Sequence, residues 1–218
     1  MDRFAAAFAA CPREQFLPAA VRSRAAYDGP LEIGHGQTNS QPRTVEAMLR
    51  LLDVQPGDHV LDVGSGSGWT TALLAHLVGP TGWVRGVEVL PDLVAAGAAH
   101  VAATGMAWAS VEAAVPGVLG LPGHAPYDRI LVSADGGALP EELRDQLADD
   151  GVMVGPADGL MLRATRSAVT QHGHYRFVPL VRPPSDGLSP PPPASSSLSS
   201  RRPASRFRRR RGRTPPPP

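Results

Sequence analysis

The 218-residue chain carries 21 basic and 20 acidic side chains, a formal net charge of +1, and is 42% hydrophobic. No run approaches the ~20 apolar residues of a membrane helix, and the N-terminus, Met1-Asp2-Arg3-Phe4-Ala5, lacks the apolar stretch and cleavage site of a signal peptide, so a cytoplasmic location is expected. The single cysteine, Cys11, excludes an intrachain disulfide and a multi-cysteine zinc cage.

Residues from Phe4 to about Arg24 are helix-compatible, broken by Pro12 and Pro18. Tyr27-Asp28-Gly29-Pro30 reads as a turn. The polar, glycine-rich segment from Ile33 to Pro42 follows, and between ordered elements it is a candidate functional loop. Val45, Met48, Leu49 and Leu52 recur at helical spacing behind Pro42. Strand and helix then alternate: Val60 to Val63 and Trp83 to Val89 as strands, Trp69 to Val78 and Leu93 to Ala103 as helices. Ile130 to Val132 is a buried strand, Pro140 to Leu147 a helix and Val152 to Val154 another strand. Leu160 to Thr165 and Tyr175 to Val181 close the pattern as a pair of terminal strands. Such alternation predicts an α/β fold, a mostly parallel sheet with helices on both faces and an antiparallel C-terminal edge.

From Arg182 the composition changes to Pro, Ser and Arg. Eight arginines fall between Arg201 and Arg213, leaving 13 arginines and all 20 acids before them, a charge of −7. A segment so poor in large apolar side chains cannot offset its ordering entropy, so one domain is expected at 1–181 and a disordered tail at 182–218. Without interleaved aromatics other than Phe207, the basic tail is a weak case for nucleic-acid binding.

The chemistry concentrates at Asp62-Val63-Gly64-Ser65-Gly66-Ser67-Gly68, between the first strand of the alternation and its helix. Glycines let backbone approach a ligand closely. The spacing G-x-G-x-G differs from the dinucleotide fingerprint G-x-G-x-x-G, which arranges a helix N-terminus around a pyrophosphate. The acidic form here suits a cofactor with an ammonium, a carboxylate and no phosphate, and disfavours a nicotinamide oxidoreductase. Glu88, ending the next strand, is placed to accept ribose hydroxyls. His172 and His174 have no further ligand cluster nearby and read as flanking the last strand, so no metal is expected.

In chain order, Cys11-Pro12-Arg13-Glu14-Gln15-Phe16-Leu17-Pro18, Tyr27-Asp28-Gly29-Pro30-Leu31, Gly36-Gln37-Thr38-Asn39-Ser40-Gln41-Pro42, the glycine loop, Ala125-Pro126-Tyr127-Asp128 and Arg176-Phe177-Val178-Pro179-Leu180 resemble the protein-L-isoaspartate O-methyltransferases, over nearly all of residues 11 to 181. The glycine loop alone indicates only a Rossmann-like class I methyltransferase; the T-x-S-Q-P segment is the specific part. The resemblance implies S-adenosyl-L-methionine as cofactor and isoaspartyl-containing proteins or peptides as partners, methylated on their free carboxylate in protein repair. It implies Ser40 as the active-site serine, Thr38 and Gln41 beside it on the substrate loop, Asp62, Gly64, Ser65 and Gly66 at the methionine part of the cofactor, and Glu88 at its ribose. A serine capping the helix after Pro42 is the other reading of Ser40.

Two departures stand out. Val115-Pro116-Gly117 replaces the family's Gly-Asp-Gly, so adenine must be held by other groups. Ser133-Ala134-Asp135-Gly136-Gly137 replaces an alanine-rich loop and sets an extra acid near the expected substrate entrance. Two alternatives stay open: a carboxyl methyltransferase tailoring an aspartate of a ribosomally made peptide, and a non-catalytic cofactor-binding homologue.

Overall fold

The computed structural model describes residues 2–183 and 185. The chain begins with helix α1 (Arg3–Ala10), a 3-10 turn at Arg13–Phe16 and the short α2 (Ala19–Arg22). Strands β1 (Leu31–Gly34) and β2 (Gln37–Asn39) form a separate antiparallel hairpin. Helix α3 (Pro42–Leu52) follows, then β3 (His59–Val63), α4 (Trp69–Val78), β4 (Trp83–Glu88), α5 (Pro91–Ala103) and β5 (Ala109–Ala113). The chain continues through β6 (Tyr127–Val132), α6 (Glu141–Arg144), β7 (Leu147–Ala157), β8 (Leu160–Ala164) and β9 (Val169–His174). No helix among the described residues is long and apolar enough to cross a membrane.

The main sheet has the order β5-β4-β3-β6-β7-β8-β9. Pairing is parallel from β5 to β7 and antiparallel from β7 to β9, as the alternation predicted. The winding reverses between β3 and β6, and ligands of open α/β sheets bind beyond the strand C-termini at such a reversal.

Burial follows the sequence pattern. Along β3, Val60 packs into one core layer and Leu61 and Val63 into the other, because helices cover both sheet faces. Helix α4 is apolar almost all round, and nine of its ten residues are buried. Helix α3 buries only its Val45, Met48, Leu49 and Leu52 stripe, with Pro42 in its first turn and Asp53 in the left-handed conformation after its last. A third small cluster of Leu17, Leu31, Ile33, Leu90 and Leu93 fastens the β1–β2 hairpin above α5. Cys11 lies in the core, 1% exposed, and burial pushes its thiol up to about 11, so it is a packing residue.

The structure corrects several element expectations. The final strand is Val169–His174. Tyr175 to Val181, expected to be that strand, forms only a bridge between Pro179 and Asp135. Its apolar residues reflect packing: Tyr175 and Phe177 lie against one core layer and Leu180 against the other. The true edge strand is exposed at every position and so has no alternation to reveal it. Strand β5 carries one buried apolar residue, Val111, too little for a sequence pattern. Helix α6 is shorter than Pro140 to Leu147, and β7 longer than Val152 to Val154, with Leu147 already pairing with Tyr127. The Ile33 to Pro42 segment contains the hairpin as well as a loop; His35 and Gly36, both at positive φ, make its turn. The expected disordered tail lies outside the described residues apart from Arg182, Pro183 and Ser185.

Candidate active site

The loop leading to Ser40 is held from below by a buried arginine. Arg13 is 5% exposed. Its Nε donates to Asn39 Oδ1 at 2.7 Å, its Nη1 to the Tyr27 carbonyl at 2.8 Å, and its Nη2 to the carbonyls of Gly29, Asn39 and Ser40 at 2.9, 2.9 and 2.8 Å. Burial lowers its pKa to about 10, an effect the nearby Asp28 charge opposes, so it remains cationic at neutral pH. A planar fork of donors suits carbonyls arriving from several directions. Asn39 in turn donates to Ser67 Oγ at 3.2 Å, linking the Ser40 loop to the glycine loop. Arg13 lies within the Cys11 to Pro18 segment, where no local pattern marks its role, because its partners are 12 to 27 positions away.

The next residues complete the arrangement at the start of α3. Gln41 is its N-cap position, with no side-chain capping bond, and the Ser40 hydroxyl makes no hydrogen bond among the described residues. Capping therefore does not occupy Ser40. Gln41 donates to the Asp28 carbonyl at 3.0 Å and accepts from Thr44 Oγ1 at 3.3 Å, which fixes the turn.

The glycine loop follows β3. Gly64 and Ser65 donate backbone N–H groups to the Val87 carbonyl, and Gly66 donates to Glu88 Oε2 at 3.0 Å. Gly68 has φ of 85°, and a Cβ there would lie 2.9 Å from the Gly97 carbonyl of α5, so both the turn and the close helix approach require glycine. Glu88 is 6% exposed; its Oε1 accepts from the Val89 and Leu90 amides at 2.7 and 3.0 Å. These three donors fix its carboxylate at the wall of a cleft.

Asp62 lies beneath this loop and is fully buried. Its Oδ2 accepts from Thr70 and Thr71 hydroxyls, each at 2.7 Å, and its Oδ1 from Ser133 Oγ at 3.4 Å. Burial pushes its pKa up to about 6 against those hydrogen bonds. Asp62 does not line the cleft itself; Ser133 stands between its carboxylate and the cleft.

Three adjoining spaces open here. A mainly apolar cleft passes Gly64, Gly66, Glu88 and Leu119, and has about 50 Å³ free, with Val181 and Pro183 along its other side. A hydroxyl-rich recess of about 30 Å³ is lined by Thr38, Ser40, Ser65, Ser67, Thr70 and Ser133. A groove of about 580 Å³ runs outward from Thr38, Ser40 and Ser133 between Gln41, Arg43 and the segment His174 to Val178. Thr38 and Ser133 border all three spaces, and Ser40 borders the recess and the groove. Ser133 was not singled out from the sequence; its position right after β6, beside the glycine loop, is the signal.

The departures from the family pattern have local explanations. Asp135 accepts the amides of Gly137, Asp158 and Gly159 at 2.8, 3.1 and 3.1 Å. Burial raises its pKa, but those three donors outweigh it and hold the carboxyl below its ordinary value. Its backbone pairs with Val178 and Leu180 at 2.8 Å, so this acid fastens the C-terminal segment to the sheet. Arg182 then meets Glu142 at 2.8 Å, exposed on both sides. Beside the cleft, Ala114, Leu119 and Gly120 present an apolar wall where the family's adenine-site acid is replaced.

The residues fit an adenosyl sulfonium cofactor by their chemistry. The buried Ser65 hydroxyl lacks a partner among the described residues and lies in the polar recess, where it can donate to the cofactor's carboxylate. Glu88 Oε2 has one donor in the structure and keeps acceptor capacity for a ribose hydroxyl. The free cleft is smaller than the ~300 Å³ at the lower end of small-molecule pockets, so entry of a nucleoside requires its walls to move apart.

Known proteins share this chain's sequence pattern and fold. The model of the family described as Protein-L-isoaspartate(D-aspartate) O-methyltransferase (PCMT) matches residues 1–183. The chain is 48% identical over 150 residues to a protein-L-isoaspartate O-methyltransferase of Aeropyrum pernix, covering 69% of this chain and 58% of that protein. It is 41% identical over 189 residues to a protein of the same name from Methanopyrus kandleri, covering 83% and 84% of the two chains. A solved Plasmodium falciparum structure, described as a protein-L-isoaspartate O-methyltransferase in complex with S-adenosyl-L-homocysteine, superposes with a TM-score of 0.73. That match is 24% identical and covers 83% of this chain and 91% of the other, so it establishes a shared fold.

Proposed function

Because the chain belongs to the protein-L-isoaspartate(D-aspartate) O-methyltransferase family, we propose that it methylates the free carboxylate of L-isoaspartyl residues in damaged proteins or peptides, using S-adenosyl-L-methionine, in the cytoplasm. The observation that carries this reading is the meeting of the hydroxyl-rich recess and the open groove at Thr38, Ser40 and Ser133. One side suits the amino-acid end of the cofactor and the other admits a peptide.

When bound, the cofactor supplies a methyl group already electrophilic on its sulfonium: the carboxylate oxygen forms the new C–O bond, and the electron pair of the broken C–S bond remains on sulfur. A carboxylate with a pKa near ~4 is already ionised at neutral pH, so the protein needs no general base. Ser40 and Thr38 orient the carboxylate by donating weak, neutral hydrogen bonds. An arginine in that place would over-stabilise the anion whose charge the reaction removes. Glu88 accepts ribose hydroxyls, and Ser65 donates to the cofactor carboxylate. Gly64 and Gly66 let backbone lie close to the cofactor, while Asp62 acts from beneath, through Ser133 and the start of α4. Gln41 keeps the substrate loop in register. The segment from Val178 to Pro183 closes one side and excludes water.

The product ester can cyclise to a succinimide and reopen partly as normal aspartate, which is the repair logic of this chemistry. The test is radiolabelled methyl transfer from S-adenosyl-L-methionine to a synthetic isoaspartyl peptide and to its aspartyl counterpart. Incorporation into the first alone is expected. Equal incorporation into both, or none into either, would contradict the repair reading.

A further inference from the structure

Arg176 is unusual among the arginines of the folded part. From Arg3 to Arg182 the other twelve each reach a carboxylate, a carbonyl, a hydroxyl or an aromatic ring. Arg176 has no such partner among the described residues, is exposed, and lines the groove that begins at Ser40. Arg43, on the opposite wall, is already paired with Asp28. Asp135, in the adjoining hollow that Arg176 also lines, has its carboxylate engaged by three amides. Among the described residues no carboxylate lines the groove itself; its other ionisable side chains are His174 and Tyr175. An unneutralised cation thus stands at the substrate groove of a domain whose overall charge is negative.

From this arrangement we infer that Arg176 is a specificity residue, selecting isoaspartyl peptides with an acidic side chain close to the isoaspartyl residue. The inference rests on the methyltransferase reading for its reaction, but the charge preference is a property of the groove and is measurable by binding alone. A guanidinium already paired within the protein would need to lose that partner before meeting a substrate carboxylate. Arg176 has no such competitor in the described structure, and a groove without acids offers no repulsion to an anionic chain. Arg176 lines the groove but not the hydroxyl-rich recess that Ser40 and Thr38 share, so it recognises a neighbouring side chain, whereas Ser40 and Thr38 present the oxygen to be methylated.

The test uses acetylated, amidated isoaspartyl peptides that differ at one nearby position, Glu, Gln or Lys, with the position scanned on both sides of the isoaspartyl residue. Kd by fluorescence anisotropy and kcat/KM for methyl transfer are measured for the full chain and for R176Q, R176K and R176E. The expected order at the best position is Glu over Gln over Lys, about threefold per step, the scale of an exposed ion pair. R176Q should level the series, R176K restore most of it and R176E reverse it; added salt should compress it. A series that is flat in the parent protein at every position, or unchanged in R176Q, overturns the inference. A charge order in Kd without methyl transfer upholds the groove assignment and removes the enzymatic reading. Methyl transfer without a charge order does the opposite, and failure of every peptide to bind overturns both.

Discussion

Replacing Arg13 with methionine tests how far the catalytic loop depends on a residue outside it. The substitution keeps an unbranched chain but removes donors to Asn39 Oδ1 and to the carbonyls of Tyr27, Gly29, Asn39 and Ser40, all within 2.9 Å. Charge-assisted bonds contribute about 1.5–3 kcal/mol each when taken singly, but these share one cation and do not add. The neutral carbonyls left without a donor cost about 1–3 kcal/mol each when buried, about 3–5 kcal/mol for a set that shares one fork, and for a chain of this size each kcal/mol lowers Tm by about 2–4 °C. The expected Tm decrease is therefore about 6–20 °C, followed by thermal denaturation and by urea titration. Arg13→Lys retains the charge on one nitrogen instead of a fork and should recover part of the loss. Where the variants remain folded, kcat should fall more than cofactor affinity, because the carbonyls released belong to the Ser40 loop. A methionine variant within 1 kcal/mol of the parent protein, with unchanged turnover, would refute the argument.

Three further outcomes are expected. Ser40→Ala should lower turnover by roughly tenfold or more with little change in cofactor Kd, whereas Glu88→Gln should mainly weaken the cofactor, on the scale of a charge-assisted hydrogen bond; calorimetry with S-adenosyl-L-methionine and steady-state kinetics separate them, and equal cofactor loss in both contradicts the division. Asp62 has a folded pKa of about 6, above its ordinary 3.8, so the folded state holds this proton more tightly than the unfolded chain. Its burial cost is fully present above about pH 6 and is relieved as pH falls toward 3.8. The stability of the parent relative to Asp62→Asn should thus rise by up to about 1.4 kcal/mol per pH unit across that window, and urea titrations at pH 7, 6 and 5 that give a constant difference exclude this assignment. Finally, Arg182→Gln removes the exposed ion pair with Glu142 near the segment beside the cleft, and cofactor exchange in stopped flow should accelerate about two- to fivefold; an unchanged rate means that this pair does not restrain the segment.

Much of the architecture was legible because burial leaves a repeating mark on sequence. The strand β3, helix α4, strand β4 and helix α5 were found near their observed limits, and the glycine loop follows from a backbone requirement that side chains cannot meet. Strand β9 was missed because an exposed edge has no apolar period, and the hairpin before Ser40 because its residues are mainly polar. Tyr175 to Val181 was misread because packing against the core gave it the apolar residues of a strand without a strand's pairing.

The sequence by itself determined the strand-helix alternation of a mostly parallel sheet, the glycine-rich turn after the first strand of that alternation and the residue types available for cofactor and carboxylate chemistry. Only the tertiary structure decided which of those residues meet. It set Arg13 beneath carbonyls 12 to 27 positions away, buried Asp62 behind Ser133, engaged Asp135 with three amides and left Arg176 facing the groove without a partner among the described residues. Local spacing records which side of an element is buried; hydrogen-bond partners and charge neutralisation depend on segments brought together by folding, and no short-range pattern encodes them.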